Sequence, residues 1–173
     1  MNAFIPRQSR LSKSRFLAGL QCDKRLYYEV FSREYAAEND IQRQNMLDMG
    51  KQIGDIARLC FPGGQLVSEG YRQSDAALER TAQLMADPKV PAIFEAAFEY
   101  EGTLVRADIL ERRGKESWHL IEVKASSRVK AIHQEDLAVQ AYVLKGCGIA
   151  LSQICLMHIN RHYVFQGLSL IHI

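Results

Sequence analysis

From Gly102 to Ala125 the chain reads GTLVRADILERRGKESWHLIEVKA, two β-branched segments with polar and apolar positions in alternation, separated by Arg113-Gly114-Lys115-Glu116-Ser117. This pattern predicts a β-hairpin. Residues two apart on a strand share a face. Trp118, Leu120, Glu122 and Lys124 therefore face one way, and His119, Ile121 and Val123 the other. In the first segment Leu104, Arg106, Asp108 and Leu110 are expected opposite Val105, Ala107 and Ile109. Ala92–Tyr100 (AIFEAAFEY) reads as a strand leading into the hairpin through Glu101-Gly102.

Helical spacing dominates the remainder. Ser12 or Ser14 caps a helix with Phe16, Leu17 and Leu20 as its apolar stripe, and Asp23 opens a second carrying Leu26, Tyr27, Val30 and Phe31. Ile41, Met46, Met49, Ile53, Ile56 and Leu59 form a further stripe, ended by Phe61-Pro62-Gly63-Gly64. Asp75–Ala86 reads as a third helical block, exposed along Glu79 and Arg80. After the polar loop Ser126–Lys130, the span His133–Lys145 predicts an amphipathic helix stopped by Gly146 and Gly148, and Ile154–Ile159 a buried strand. Tyr163–Gln166 is expected to begin another strand. The strand–helix–strand return favours a mixed α/β core.

Composition adds bounds rather than function. The 173 residues suffice for one domain with a sizeable core, and 47% hydrophobic with 24% charged residues is ordinary for a globular chain. A net charge of +2 does not by itself announce a nucleic-acid binder. Its distribution is more informative: Arg7, Arg10, Lys13, Arg15, Lys24 and Arg25 face a single acid, Asp23, beside aromatic residues. Such an edge can follow a phosphate backbone, although a solvated helix face is the commoner meaning of such a run. No apolar run is long enough for a membrane span and no secretory leader is visible, so a cytoplasmic protein with no membrane partner is expected. Cysteines 22, 60, 147 and 155 form no C-x-x-C pair, which favours reduced thiols.

The chemistry concentrates in the hairpin. Asp108 and the Glu122-x-Lys124 pair interrupt strands otherwise suited to a core. Burying them is costly unless they neutralise one another or hold a cation. Two converging carboxylates suit a hard divalent ion, and a nearby Lys can orient water or stabilise charge developing on phosphate. An exposed Glu-x-Lys pair is common in proteins, but the flanking Leu120, Ile121 and Val123 argue against a solvated strand.

These residues resemble the D…(D/E)-x-K signature of the PD-(D/E)XK nucleases, and specifically the RecB-like branch, which includes CRISPR-associated RecB-like exonucleases and related uncharacterised bacterial proteins. RADILERR is similar to that branch's G-x-x-D-hydrophobic strand, and IEVKASS to its catalytic strand. Residues 12–27 resemble its amino-terminal segment S-x-S-x-(F/L)-x-x-(G/Y)-x-x-C-x-x-(R/K)-x-(Y/F). The resemblance implies a restriction-endonuclease-like mixed sheet flanked by helices, with a mainly helical part over 11–90 and a catalytic α/β core over 92–165. It implies Mg²⁺ or Mn²⁺ held by Asp108, Glu122 and the Val123 carbonyl, with Glu95 as a further acid near the metal, and Lys124 as the catalytic lysine. Gln140 matches the family's Q-x-x-x-Y helix, in which the glutamine contacts substrate; Leu144 holds the expected aromatic site and Tyr142 comes two residues early.

Gly54, beside Asp55, stands where many members carry a metal-contacting His. Cys22 sits at the position of the first iron–sulfur ligand, but no cysteine triplet follows, so no cluster is implied and Cys22 is expected to pack at a helix junction. The resembling proteins are longer, and the ending GLSLIHI predicts a chain cut short at its C-terminus. The function expected is metal-dependent hydrolysis of single- or double-stranded DNA, in the manner of the RecB-like exonucleases. Lys13, Arg15, Lys24, Arg25, Arg128 and Tyr142 would guide the strand. The alternatives are a binding or scaffold module that retains the nuclease fold, and a metal-dependent hydrolase acting on nucleotides.

Overall fold

The structure, a computed structural model, describes residues 10–35 and 41–163. It is an α/β fold in which a mixed sheet is flanked by helices, with a helical segment at the amino-terminal end. Arg7, the final GLSLIHI and residues 164–166 of the expected last strand lie outside the described residues.

A chain of hairpins sets the sheet. Strand β3 (Ala92–Tyr100) turns into β4 (Thr103–Arg113) through Glu101 and Gly102, both at positive φ (47° and 72°). Two such residues make the tight turn whose twist matches the flanking strands. The register then runs from Tyr100 opposite Thr103 to Ala92 opposite Glu111. Gly114, at φ 69°, turns β4 into β5 (Ser117–Lys124), as the break in the pattern predicted. Helix α5 (Ala131–Gly146) then crosses over to β6 (Ala150–His158), which lies parallel to β5. Two-residue strands β1 (Leu11–Ser12) and β2 (Gln65–Leu66) join in parallel to β4 and β3, giving the order β2-β3-β4-β5-β6 with β1 against β4.

Helices α1 (Lys13–Gln21), α2 (Asp23–Phe31), α3 (Ile41–Arg58) and α4 (Ser74–Ala86) complete the fold, with one 3₁₀ turn at Arg33–Tyr35. Ser12 caps α1 by accepting from the Arg15 N–H. On one face of the sheet α4 and α5 supply Ala77, Leu84, Val139, Val143 and Leu144 to a core with Ile93, Leu110, Trp118 and Leu120. On the other, Ala57 of α3 meets Ala92, Phe94, Ile109 and Ile121. Arg112 ties the layers together. Its guanidinium donates to the carbonyls of Met85, Asp87 and Val90, at 2.8–2.9 Å, and lies 4.2 Å from the Trp118 ring centroid. Three carbonyls at the end of α4 thereby gain a charged donor.

Four expectations need correction. Val105 and Ala107 pack with Leu110 in the larger core, while Ile109 joins the smaller one, so strict alternation fails at Asp108. The cause lies opposite: Phe94 pairs with Ile109 and Ala96 with Ala107, and Glu95 between them adopts φ 58°, outside extended geometry. The apolar stripes of the amino-terminal helices are mostly not core. Ala18 and Ala57 are buried, whereas Leu20, Tyr27, Phe31, Ile41, Met46, Met49, Ile56 and Leu59 are exposed, because α2 packs on α1 rather than on the sheet and α3 meets the sheet's core through Ala57. Cys22 is also exposed, as the backbone link between α1 and α2. Finally, β6 begins at Ala150 and is half-exposed, with Ile154 in solvent, because an edge strand shares only one side with the sheet.

Gly146 ends α5 against Tyr100, where an added Cβ would collide with the tyrosine ring; at Gly54, mid-α3, nothing lies within 4 Å. Gly146→Ala is expected to cost about 1–3 kcal/mol and Gly54→Ala to add up to about 1 kcal/mol. Parallel thermal unfolding checks both, and shifts of the same sign would contradict this packing.

Candidate functional site

Strand and helix periods converge on one polar cluster. The β5 face that buries Trp118 and Leu120 continues, two residues at a time, to Glu122 and Lys124. Helix α5 lies along that face, and its Asp136 and Gln140, one turn apart, follow the strand's rise. Apolar pairs at one end of this shared face give way to charged pairs at the other. Asp108 enters from β4, at the residue where the alternation slips. Lys13 enters from the first position of α1, delivered by the pairing of β1 with β4.

The cluster is closely bonded. Glu122 is 1% exposed; its Oε1 accepts from Lys13 Nζ at 3.1 Å and Lys124 Nζ at 2.5 Å, and its Oε2 accepts from Gln140 Nε2 at 2.6 Å. Asp136 takes the same two ammonium groups, Lys13 on Oδ1 at 2.9 Å and Lys124 on Oδ2 at 2.5 Å. Asp108 Oδ2 accepts the Val123 backbone N–H at 2.7 Å. Gln140 is fully buried, and its Oε1 has no hydrogen-bond partner among the described residues.

Burial and crowded charge set the proton affinities. Burial pushes the Asp108 carboxyl up, and Glu95 adds to this against the Val123 N–H and the lysines. Glu122 is pushed up by burial and then by the Asp108 charge. Burial works against the Asp136 charge as well, but Lys13 and Lys124 outweigh it and hold that carboxyl down to about 2. Burial likewise opposes both ammonium charges, and the surrounding carboxylates overcome it, raising Lys13 and Lys124. Three carboxylates and two ammonium groups leave one formal negative charge in a largely buried site.

Asp108, Glu122, Lys124 and Gln140, singled out from sequence, are thus brought together. At Val123 it is the N–H that engages Asp108. Glu95 lies near enough to raise Asp108, but its own carboxylate is held by Arg58 at 3.2 Å and Arg106 at 3.6 Å. Arg58 also reaches Asp55 at 3.2 Å. Lys13, expected among the strand-guiding cations, lies in the cluster, carried over the end of β5 by the adjacent β1–β4 pairing. The other expected guides are held elsewhere: Arg15 on the Glu29 carbonyl, Lys24 over Tyr28, and Arg25 on Glu29 and Gln21. Arg128 is exposed. Tyr142 donates to Glu101 and meets Tyr100 edge-on, bracing the β3–β4 turn rather than the cluster.

Two members escaped sequence reasoning. Asp136 carried a readable signal, standing four residues before Gln140 on a helix face otherwise apolar. Lys13 carried a subtler one: a cation at a helix amino terminus opposes the helix dipole. His133, set aside in the sequence, is buried and accepts the Lys130 N–H at 3.3 Å through Nδ1, closing the first turn of α5; burial and the neighbouring lysines lower its proton affinity. All four cysteines are free thiols. Among the described residues no three His, Cys, Asp or Glu side chains group as a ready metal cage, and no helix is long and apolar enough to cross a membrane. No protein-family model and no curated protein matches the chain.

Asp108→Asn keeps an acceptor for the Val123 N–H and removes a buried charge. Folded Asp108 binds its proton more tightly than the unfolded carboxyl, whose pKa is about 3.9. The stability it contributes is present below that value and lost as pH rises through the raised one. Metal-free Asp108→Asn should therefore melt like wild type near pH 4 and higher than wild type at neutral pH. A pH series of melts checks this, and an advantage largest in acid would contradict it.

Proposed function

We propose that the chain is a metal-dependent phosphodiesterase acting on DNA, with Asp108, Glu122 and Lys124 as its reactive core. The supporting observation is the convergence of Asp108, which accepts the Val123 N–H at 2.7 Å, with the neighbouring Glu122 and its bonded Lys124 on β5. Carboxylates that repel one another in a buried site favour a cation between them. The oxygen donors fit a hard ion such as Mg²⁺ or Mn²⁺, and the cluster already draws in positive charge as two ammonium groups. Asp108, Glu122 and the Val123 carbonyl would hold the ion, with Glu95 as a further acid. Once bound, the ion would polarise water and offset charge on the phosphate oxygens.

The protein's own groups have separable tasks. Lys124, held between Glu122 and Asp136, presents an ammonium to the attacking water and to the charge that develops at phosphorus. Gln140 fixes the Glu122 carboxylate through Oε2. The Val123 N–H fixes Asp108. An open groove of about 1330 Å³ beside α1, lined by Arg10, Arg15, Arg25, Tyr28, Tyr35 and Tyr71, offers guanidinium groups for phosphates and rings for bases. Ser12 and Ser14, either side of Lys13 in the sequence, also line it. This reading agrees with the RecB-like resemblance and with a cytoplasmic setting.

One observation favours the second reading, a binding module that keeps the fold without the chemistry: both Glu122 oxygens already have partners in Lys13, Lys124 and Gln140. Cleavage of labelled single- and double-stranded DNA with Mg²⁺ or Mn²⁺ decides between them. Wild type should cut only with the ion, Asp108→Ala and Lys124→Ala should lose at least about 100-fold, and Gln140→Ala about tenfold. A folded wild type that binds DNA without cutting it supports the module. Cutting that survives both alanine variants places the site elsewhere.

A further inference from the structure

Lys13 occupies an unusual place in the cluster. It is supplied by a different element from the other members, and its Nζ stands between Glu122 Oε1 and Asp136 Oδ1 at 3.1 and 2.9 Å. Its side chain keeps 22% exposure where that of Glu122 keeps 2%, so it approaches from the open side. Asp108 acts on it as well, raising its proton affinity together with Glu122 and Asp136. Lys13 therefore sits in the combined field of all three carboxylates, where a divalent ion would gain most.

The other partners of Glu122 are less easily displaced. Gln140 lies fully buried on α5, and Lys124, whose side chain is as open as that of Lys13, holds both Glu122 and Asp136 more closely, at 2.5 Å each. Helix α1 does not depend on Lys13 for its position: Leu11 and Ser12 pair with Thr103 and Leu104, Ser12 caps the helix, and Phe16 and Leu17 pack on the main core. The Lys13 side chain can swing away while α1 stays docked.

We propose, resting on the metal-site reading above, that Lys13 is a built-in competitor for the divalent ion: its ammonium neutralises Glu122 and Asp136 in the metal-free protein and leaves when the ion binds. Glu122 Oε1 already accepts from two ammonium groups, Lys13 at 3.1 Å and Lys124 at 2.5 Å, so a divalent ion at that oxygen adds a third cation and the more loosely held ammonium gives way. Lys13 thus sets the ion concentration at which the site loads, and in the metal-free protein it completes the neutralisation of an acid pair that Lys124 alone leaves one positive charge short. Asp136, which retains Lys124, keeps that lysine in place when Lys13 departs.

The test uses Mn²⁺ alone, with no nucleic acid. Calorimetric titration of wild type and Lys13→Gln should show binding to both, tighter in the variant by on the order of tenfold or more. Lys13→Arg, which keeps the charge, should bind no more tightly than wild type. An independent readout needs no variant: brief acetylation of wild type, read by peptide mass spectrometry, should label Lys13 several-fold faster with saturating Mn²⁺ than without. Wild type that binds Mn²⁺ with Lys13 labelling unchanged, or Lys13→Gln that binds no more tightly, overturns the competition while leaving the metal site intact. No Mn²⁺ binding by wild type or either folded variant overturns the metal site and this inference together.

Discussion

The polar cluster at the end of β5 is arranged around the two ammonium groups that join Glu122 to Asp136. A carboxylate 1% exposed at the end of a core strand would be prohibitive alone. With lysines from α1 and β5, an amide from α5 and a second carboxylate one helical turn away, it becomes the junction of three elements. The packing of α5 on β5 and the entry of α1 both answer to this electrostatic requirement as well as to apolar burial. The cluster thus supports the fold and concentrates the chemistry, and the same attraction for positive charge serves both.

The hairpin and its flanking elements were legible because they rest on local rules. Alternation gave β3 with its observed bounds and the β5 face correctly, and Gly102 and Gly114 marked turns that need positive φ. Alternation misled at Asp108 because the disturbance originates at Glu95, a residue on another strand. Periodicity also overstated the burial of α2 and α3: an apolar stripe shows that a helix has a face, not that the sheet extends beneath it.

Within the site, legibility followed the distance over which each residue is positioned. Glu122 and Lys124 share one strand, and Asp108 is one hairpin away, so pattern and spacing reached them. Gln140 and Asp136 depend on how a helix lies across that strand, and only the former was named. Lys13 is separated from Glu122 by 109 positions and arrives through a two-residue strand that no pattern announces. Basic residues cluster near it in the sequence, which suggested a surface; several of them do lie at the surface, in contacts with Glu29, Gln21, Asp75 and Glu99.

Arg112 has a consequence for cooperativity. One guanidinium gathers the carbonyls at the end of α4 and stacks against Trp118, whose own strand carries Glu122. Helix ends ordinarily fray independently of the domain they belong to. Here the end of α4 cannot loosen without uncovering a core tryptophan on β5. Helix and site therefore share a single opening event, and a disturbance at the exposed turn 86–89 reaches β5 without passing through the polar cluster.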